Sequence, residues 1–297
     1  MVERWTRKLR SGVEEYSLTA VPRRVQLGSR ARLERRERRR NGLVVTEVGI
    51  GIRGLPGAFH GLRIVHLTDI HHGFYVPLQA VLDVVELANE LEPDVVALTG
   101  DFVTYSKSYI GPMAAALGEL RARHGVYAVL GNHDFRVDAE GVTRALRQQK
   151  IEVLRNRHTA LHAGGEKFYV AGVDDTGYGA DLTRAMRGLP ALAPTVLLSH
   201  NPSIVRRASR YWVSLVLSGH THGGQIKLPL VGSIYGKKSE RARFTAGWDR
   251  IGHTQIYVSR GIGTIVVPWR YRCPAEMPHI HLLQQAAVAV PAKKAGR

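Results

Sequence analysis

The run Leu62-Arg63-Ile64-Val65-His66-Leu67-Thr68-Asp69-Ile70-His71 decides how the chain is read. An apolar, β-favouring stretch, Leu62–Leu67, leads directly into a Thr-Asp-x-His end. The arrangement returns along the chain. Val95–Leu98 runs into Thr99-Gly100-Asp101, and Val126–Leu130 into Gly131-Asn132-His133-Asp134. Thr195–Leu198 runs into Ser199-His200-Asn201, and Val213–Leu217 into Ser218-Gly219-His220-Thr221-His222. Each of these apolar strands finishes on a carboxylate, an amide or an imidazole. Open α/β sheets bind ligands beyond the carboxyl ends of their strands, where loops converge on one point.

Further strands are expected at Leu43–Ile52, Lys167–Val173 and Gln255–Val258, and helices at Leu78–Leu91, Pro112–Arg123 and Ala139–Gln149. Strands alternating with helices indicate an α/β domain with buried parallel strands early on and a more mixed second half. A chain of 297 residues has room for one large domain or two smaller ones. The texture divides it into a basic arm over 1–42, a catalytic domain over 43–286 and a tail over 287–297.

Apolar residues make up 44% of the chain and charged residues 23%, ordinary values that exclude a mostly disordered protein. The formal charge of +17 calls for a polyanionic neighbour: nucleic acid, anionic lipid or a phosphorylated substrate. Residues 1–40 hold 13 Lys or Arg against 5 Asp or Glu. Within them Trp5, Leu9, Val13 and Tyr16 share one face of a helix, flanked by Arg4, Arg7, Lys8 and Arg10. Such a helix suits an anionic membrane surface, or packs on the domain with its charges solvated. The Arg-dominated run from Arg30 to Arg40 reads as a solvated arm or helix. Cys273 is the single cysteine, which excludes an intrachain disulfide and a multi-thiolate metal site. No apolar run reaches the roughly 20 residues of a membrane span, and the first residues lack the apolar core of a secretory signal. The expected location is the cytoplasm, or the inner face of the cell membrane as a peripheral protein.

Asp69, His71, Asp101, Asn132, His200, His220 and His222 form a mixed oxygen and nitrogen donor set, too large for one tetrahedral ion. Two divalent ions sharing a bridging carboxylate would use all seven. The mixture suits Mn, Fe or Zn, with Ni, Co or Mg as further candidates, better than the all-oxygen preference of Ca. Two ions about 3.5–4 Å apart hold a phosphate between them and acidify a bridging water to hydroxide, the machinery for in-line attack on a phosphoester.

In these residues the sequence resembles the calcineurin-like metallophosphoesterases. Their signature stands in order as Asp69-x-His71, Gly100-Asp101, Gly131-Asn132-His133-Asp134, His200 and Gly219-His220-x-His222, within about residues 60–285. The resemblance implies a four-layer α-β-β-α sandwich with two mixed sheets face to face and helices outside each. It implies one metal on Asp69, His71, Asp101 and His222, and a second on Asp101, Asn132, His200 and His220, with Asp101 bridging. His133 would face the substrate and protonate or stabilise the leaving oxygen, help typically worth about 10²–10⁴-fold. Asp134 would orient His133. A narrower likeness, carried by Ser218–Ile226 and Val258–Thr264, is to bacterial peripheral-membrane phosphodiesterases, some of which are UDP-diacylglucosamine hydrolases of lipid A synthesis.

Other chemistries fail on context. Gly49-x-Gly51-x-x-Gly54 is followed by Pro56 and Gly57 where a dinucleotide-binding helix should begin. Gly236-Lys237-Lys238-Ser239 lacks the first glycine of a phosphate loop, and no Gly-x-Ser-x-Gly elbow occurs. Asp174 and Asp175 read as turn residues, and His66, His72, His124 and His253 as structural. The insert Ile226–Arg250, with Lys227, Lys237, Lys238, Arg241 and Arg243, is expected to border the site. The sequence thus implies a dinuclear phosphohydrolase acting on a phosphodiester or pyrophosphate, with a membrane-lipid precursor among its candidate substrates. A nuclease is the first alternative, disfavoured because basic stretches are not interleaved with aromatic residues. A non-catalytic membrane-surface scaffold is the second, at odds with a filled ligand set.

Overall fold

The computed structural model describes residues 35–40, 42–228, 232–233 and 244–285. The amphipathic stretch around Trp5–Tyr16, residues 229–231 and 234–243 of the basic insert, and the tail from 286 on lie outside the described residues. Fifteen strands are described: β1 (Arg35–Arg40), β2 (Leu43–Arg53), β3 (Leu62–Leu67), β4 (Val95–Thr99), β5 (Val126–Val129), β6 (Glu152–Val153), β7 (Arg157–Ala163), β8 (Glu166–Gly172), β9 (Thr195–Leu198), β10 (Leu215–Ser218), β11 (Lys227–Leu228), β12 (Gly232–Ser233), β13 (Gly247–Ile251), β14 (Thr254–Val258) and β15 (Ala275–Gln285). The α-helices are α1 (Leu78–Glu90), α2 (Ile110–Leu117), α3 (Asn132–Gln148), α4 (Leu182–Met186) and α5 (Val205–Ala208).

Two mixed sheets carry the fold. One runs β1-β2-β15-β3-β4-β5-β6 and the other β13-β14-β10-β9-β8-β7, while β11 and β12 form a small hairpin. Alternation along each strand sorts side chains between layers. Ile64, Ala97 and Val129 of the first sheet meet Val170, Leu198 and Leu217 of the second in the central core. Val65, Leu98 and Ala128 turn the other way, onto Val85 of α1, Met113 of α2 and Val142 of α3. Leu197, Val216 and Ile256 face outward onto Leu182 of α4 and Val205 of α5. The result is the expected four-layer sandwich. Because β3, β4 and β5 are mutually parallel, as are β8, β9 and β10, each group releases its polar ends at one edge.

Several sequence boundaries move. Arg35–Arg40, read as the end of a solvated arm, is an antiparallel partner of β2, so the first sheet extends into the region assigned to the arm. Helix α2 stops at Leu117, before Gly118, rather than reaching Arg123. Helix α3 begins at Asn132, seven residues earlier than its apolar periodicity suggests, because the polar site motif itself is the first turn; extended backbone at Asp138 interrupts it. The eleven-residue β15 is not among the expected strands, and its Pro278 is unusual for a central strand. Its pairing with β3 covers only His279 to Leu282, so Pro278 sits where that flank has no ladder to break.

Candidate metal centre

The loop after β3 continues to pair with the loop after β4. Asp69 N donates to Gly100 O at 2.9 Å, His71 N to Asp101 O at 2.9 Å and His72 N to Phe102 O at 2.8 Å. That ladder sets Asp69 and His71 beside Asp101. From the second sheet, Gly219 N donates to His200 O at 3.1 Å, and His220 N reaches the Asp69 carboxylate at 3.0 Å. The polar ends of β3, β4, β9 and β10 therefore meet at one edge of the sandwich.

The backbone there is strained. Asp69, His71, Asp101, His220 and His222 have φ of 53°, 51°, 56°, 70° and 50°. Non-glycine residues rarely adopt this region, at a cost of order 1–3 kcal/mol each, and surrounding structure must enforce it. Close packing does so: a Cβ on Gly219 would collide with the Asp69 carboxylate and Thr68 Oγ1, and one on Gly131 with Asp101 Oδ1.

Two clusters result, each able to hold a metal ion: Asp69 with His71 and His222, and Asp101 with His200 and His220. In the first, His71 Nε2 lies 3.1 Å from His222 Nε2 and 3.9 Å from Asp69 Oδ1, with His222 Nε2 at 3.3 Å from the same oxygen. In the second, His200 Nε2 is 3.2 Å from Asp101 Oδ2 and 3.2 Å from His220 Nδ1. Donors about 2.0–2.2 Å from a common ion are separated by distances of this order. Asp101 Oδ2 is also 3.5 Å from His71 Nε2, which places one carboxylate against both clusters. The Asn132 side chain is buried and its Oδ1 meets no protein donor. A buried orphan acceptor and imidazole nitrogens facing one another without room for protons on both fit a cation site.

The far nitrogens of the imidazoles are committed. His71 Nδ1 meets Thr104 Oγ1 at 2.6 Å, His200 Nδ1 meets Thr99 O at 2.8 Å, and His222 Nδ1 lies 3.3 Å from the Arg270 guanidinium. The oxygen partners of His71 and His200 fix ring orientation and leave Nε2 for an ion, whereas Arg270, which can only donate, holds the His222 ring from its far side. Burial lowers His71 to about 3 despite the neighbouring Asp101, and burial together with Arg270 takes His222 well below its ordinary value. His200 goes the other way. Burial opposes its charge, but Asp101 and Asp69 lift it to about 10. Burial likewise pushes Asp101 up, yet His200 and His71 bring it well below the usual carboxylate range. The site thus demands positive charge beside Asp101.

His133 belongs to neither cluster. Its backbone N–H donates to Asp101 Oδ1 at 2.8 Å, and its half-buried ring stands edge-on to His71 with centroids 5.0 Å apart. Burial lowers its pKa, partly offset by Asp101. Asp134 is not its partner, which corrects the expected orienting role. The fully buried carboxylate accepts backbone N–H groups instead: Asp101 at 2.8 Å, Phe102 at 2.9 Å, Val103 at 3.3 Å and Gly131 at 2.9 Å. As the third residue of α3 it closes a capping box on Gly131 and holds the Asp101 loop to that helix.

Sequence reasoning missed Thr104 and Arg270, whose neighbours carry no motif texture. Arg270 donates to the carbonyls of Arg260 and Gly261 at 2.8 and 3.2 Å, and so ties the loop after β14 to His222. Asp174 is an ion-pair partner of Arg155 at 2.9 Å, whereas Asp175 accepts from Gly177 N and adds to the negative field on His200. His66 is a core histidine bonded to Thr99 Oγ1 at 2.8 Å, and His253 stacks on Trp212.

Residues 62–224 match the family described as calcineurin-like phosphoesterase. A Danio rerio protein named transmembrane protein with metallophosphoesterase domain is 35% identical over 255 residues, which span 81% of this chain and 57% of that protein. The chain likewise spans 57% of the Bos taurus protein of the same name. The uncharacterized metallophosphoesterase YkuE of Bacillus subtilis is 34% identical, over 75% of this chain and 79% of its own. Phosphodiesterase YaeI of Escherichia coli is 30% identical, over 74% of this chain and 82% of its own. Among the described residues no helix is long and apolar enough to cross a membrane.

Proposed function

The chain belongs to the calcineurin-like phosphoesterase family, and from that premise we propose that it is a dinuclear metal-dependent hydrolase of phosphodiester or pyrophosphate bonds. The supporting observation is Asp101, whose Oδ2 lies within 3.5 Å of His71 Nε2 and 3.2 Å of His200 Nε2 and so joins two three-residue clusters. Asp69, His71, His222 and Asp101 would hold one ion; Asp101, Asn132, His200 and His220 the other. Bound divalent ions would neutralise phosphoryl oxygens and lower the pKa of water at the site.

The protein's own part is to place and orient. Thr104 and Arg270 hold the rings of His71 and His222, and the backbone from Asp101 to Val103, clamped by Asp134, fixes the bridging carboxylate. His133, tied through its N–H to Asp101, stands at the edge of the clusters. From there its imidazole offers an N–H to the oxygen that leaves. A lipid-linked nucleotide such as UDP-diacylglucosamine is the substrate that the narrower sequence likeness favours; manganese, iron and zinc suit the donors best.

Metal-depleted protein, resupplied separately with Mn, Zn, Ni and Mg, tests the reading on bis-p-nitrophenyl phosphate, p-nitrophenyl phosphate, plasmid DNA and UDP-diacylglucosamine. Elemental analysis should give two ions per chain for the wild type, a loss at both sites for Asp101→Asn, and full content with slow turnover for His133→Ala. A wild-type chain that takes up no metal, or a His133→Ala protein that loses its metal, overturns the assignment.

A further inference from the structure

Large apolar side chains left in water gather at the mouth of the site. Of the eleven large hydrophobic residues exposed among the described residues, six lie on four neighbouring stretches: Phe74, Tyr105, Leu228, Val266, Trp269 and Tyr271. Phe74 is 78% exposed, Tyr105 70%, Val266 56% and Trp269 53%, values a folded surface normally reserves for polar groups. Phe74 and Tyr105 line the same cleft as His71, Thr104 and Ile265, which connects this patch to the candidate metal centre.

The wall carrying Val266 and Trp269 is built to keep its shape. Gln225 donates from Nε2 to the carbonyls of Ile265, Val267 and Trp269 at 3.0, 3.0 and 3.3 Å, and its Oε1 accepts Ile265 N at 3.0 Å. Lys227 N donates to Tyr271 O at 3.0 Å, so β11, with Leu228, is stitched to the same wall. Val266 is held at φ 65°, an unfavourable conformation for a β-branched residue, while its side chain stays in solvent. Relaxation of that loop into the core is therefore prevented by a dedicated hydrogen-bond set.

Charge complements the apolar display. Residues 73–77, 104–109, 226–228 and 264–273 contain no Asp or Glu, but they carry Lys107, Lys227, Arg270 and Arg272. Lys107 is ion-paired with Asp138 and Arg270 is committed to carbonyls, which leaves Lys227 and the exposed Arg272 as the outward cations. Aromatic residues mixed with Lys and Arg, on stretches that themselves carry no Asp or Glu, match an anionic lipid–water interface, where rings sit at headgroup depth and cations meet phosphates.

We propose that this rim is a lipid-contact surface, which rests the mouth of the candidate metal centre on an anionic bilayer through Phe74, Tyr105 and Trp269. The inference deepens the hydrolase reading by naming where its substrate would be met, and it is separate from the basic segment over 1–40.

The test uses the full chain with vesicles of phosphatidylcholine alone or mixed equally with phosphatidylglycerol, some carrying brominated acyl chains. The wild type should float with the mixed vesicles and show bromine quenching of tryptophan. Trp269→Phe, which keeps an aromatic ring, should lose the share of that quenching that Trp269 contributes. Phe74→Glu combined with Trp269→Glu should weaken binding by about tenfold or more. Failure to bind mixed vesicles, quenching unchanged in Trp269→Phe, or wild-type flotation of the double variant each overturns the proposal. Metal stoichiometry of the same preparations reads the hydrolase assignment independently, so the two can fail separately.

Discussion

Asp134→Asn separates two accounts of the residue that follows His133. If Asp134 oriented His133, the amide would slow turnover and leave melting and metal uptake alone. The structure instead gives its oxygens to four backbone N–H groups, Oδ2 to Asp101 and Gly131 and Oδ1 to Phe102 and Val103. An asparagine keeps one acceptor oxygen and turns an NH₂ towards the other pair of donors. Burial and the neighbouring Asp101 raise Asp134 to about 7, so above that pH two bonds to a charged acceptor are lost, each worth about 1.5–3 kcal/mol, in a residue with no solvent to replace them. The expected loss is about 3–6 kcal/mol. For a domain of this size about 2–4 °C of melting temperature accompanies each kcal/mol. The assay is thermal and urea unfolding of chelator-treated protein, so that metal binding does not mask the change. Titration of the same protein with Mn or Zn should also show weakened uptake, because the Asp101 loop has lost its clamp. Wild-type melting and wild-type metal stoichiometry in Asp134→Asn, with reduced turnover alone, would refute the clamp and restore the orienting role.

Three further outcomes follow from individual contacts. Thr104→Val removes the hydroxyl 2.6 Å from His71 Nδ1 and should weaken one metal equivalent by about 10–100-fold, read by competition with a chelating dye. Gly219→Ala places a methyl group against Asp69 and Thr68, and should abolish metal loading at the cluster containing Asp69; intact loading by elemental analysis counts against this packing. Asp94 lies far from that chemistry. Burial pushes it up, but the Arg63 N–H and guanidinium and the Arg123 charge hold it below the ordinary carboxylate value. A depressed folded pKa contributes stability above the unfolded value near pH 3.9, lost as pH falls through the folded one. Asp94→Asn should therefore lower melting at pH 6 and narrow the gap to the wild type as pH falls below about 4; a gap constant with pH contradicts it.

What could be read from the sequence follows from what each signal depends on. The strands feeding the site are short apolar runs buried on both faces, so composition alone locates them; Leu62–Leu67 and Thr195–Leu198 have the boundaries expected. The polar residues at their ends are conspicuous because nothing in a buried strand requires a carboxylate or an imidazole. Strand β15 and helix α3 were hidden or shifted because their decisive features are non-local. Pro278 is tolerated only because β3 ends its pairing at His279, and α3 starts at Asn132 only because Asp134 finds Gly131 N and the Asp101 loop. The same distinction separates donors from supports. A donor must be His, Asp or Asn, and the type itself is informative. A support such as Thr104 or Arg270 needs only one polar atom in the right place. That place is set by the φ of 56° at Asp101 and by the carbonyls around Gly261, neither of which is a property of a residue type. Asp134 falls between these cases. Its identity was visible, and its sequence neighbour, His133, suggested the wrong partner. Three residues from the start of a helix a carboxylate has a nearer use than an adjacent side chain, because adjacent helical side chains point apart while the N-cap N–H is unpaired and within reach.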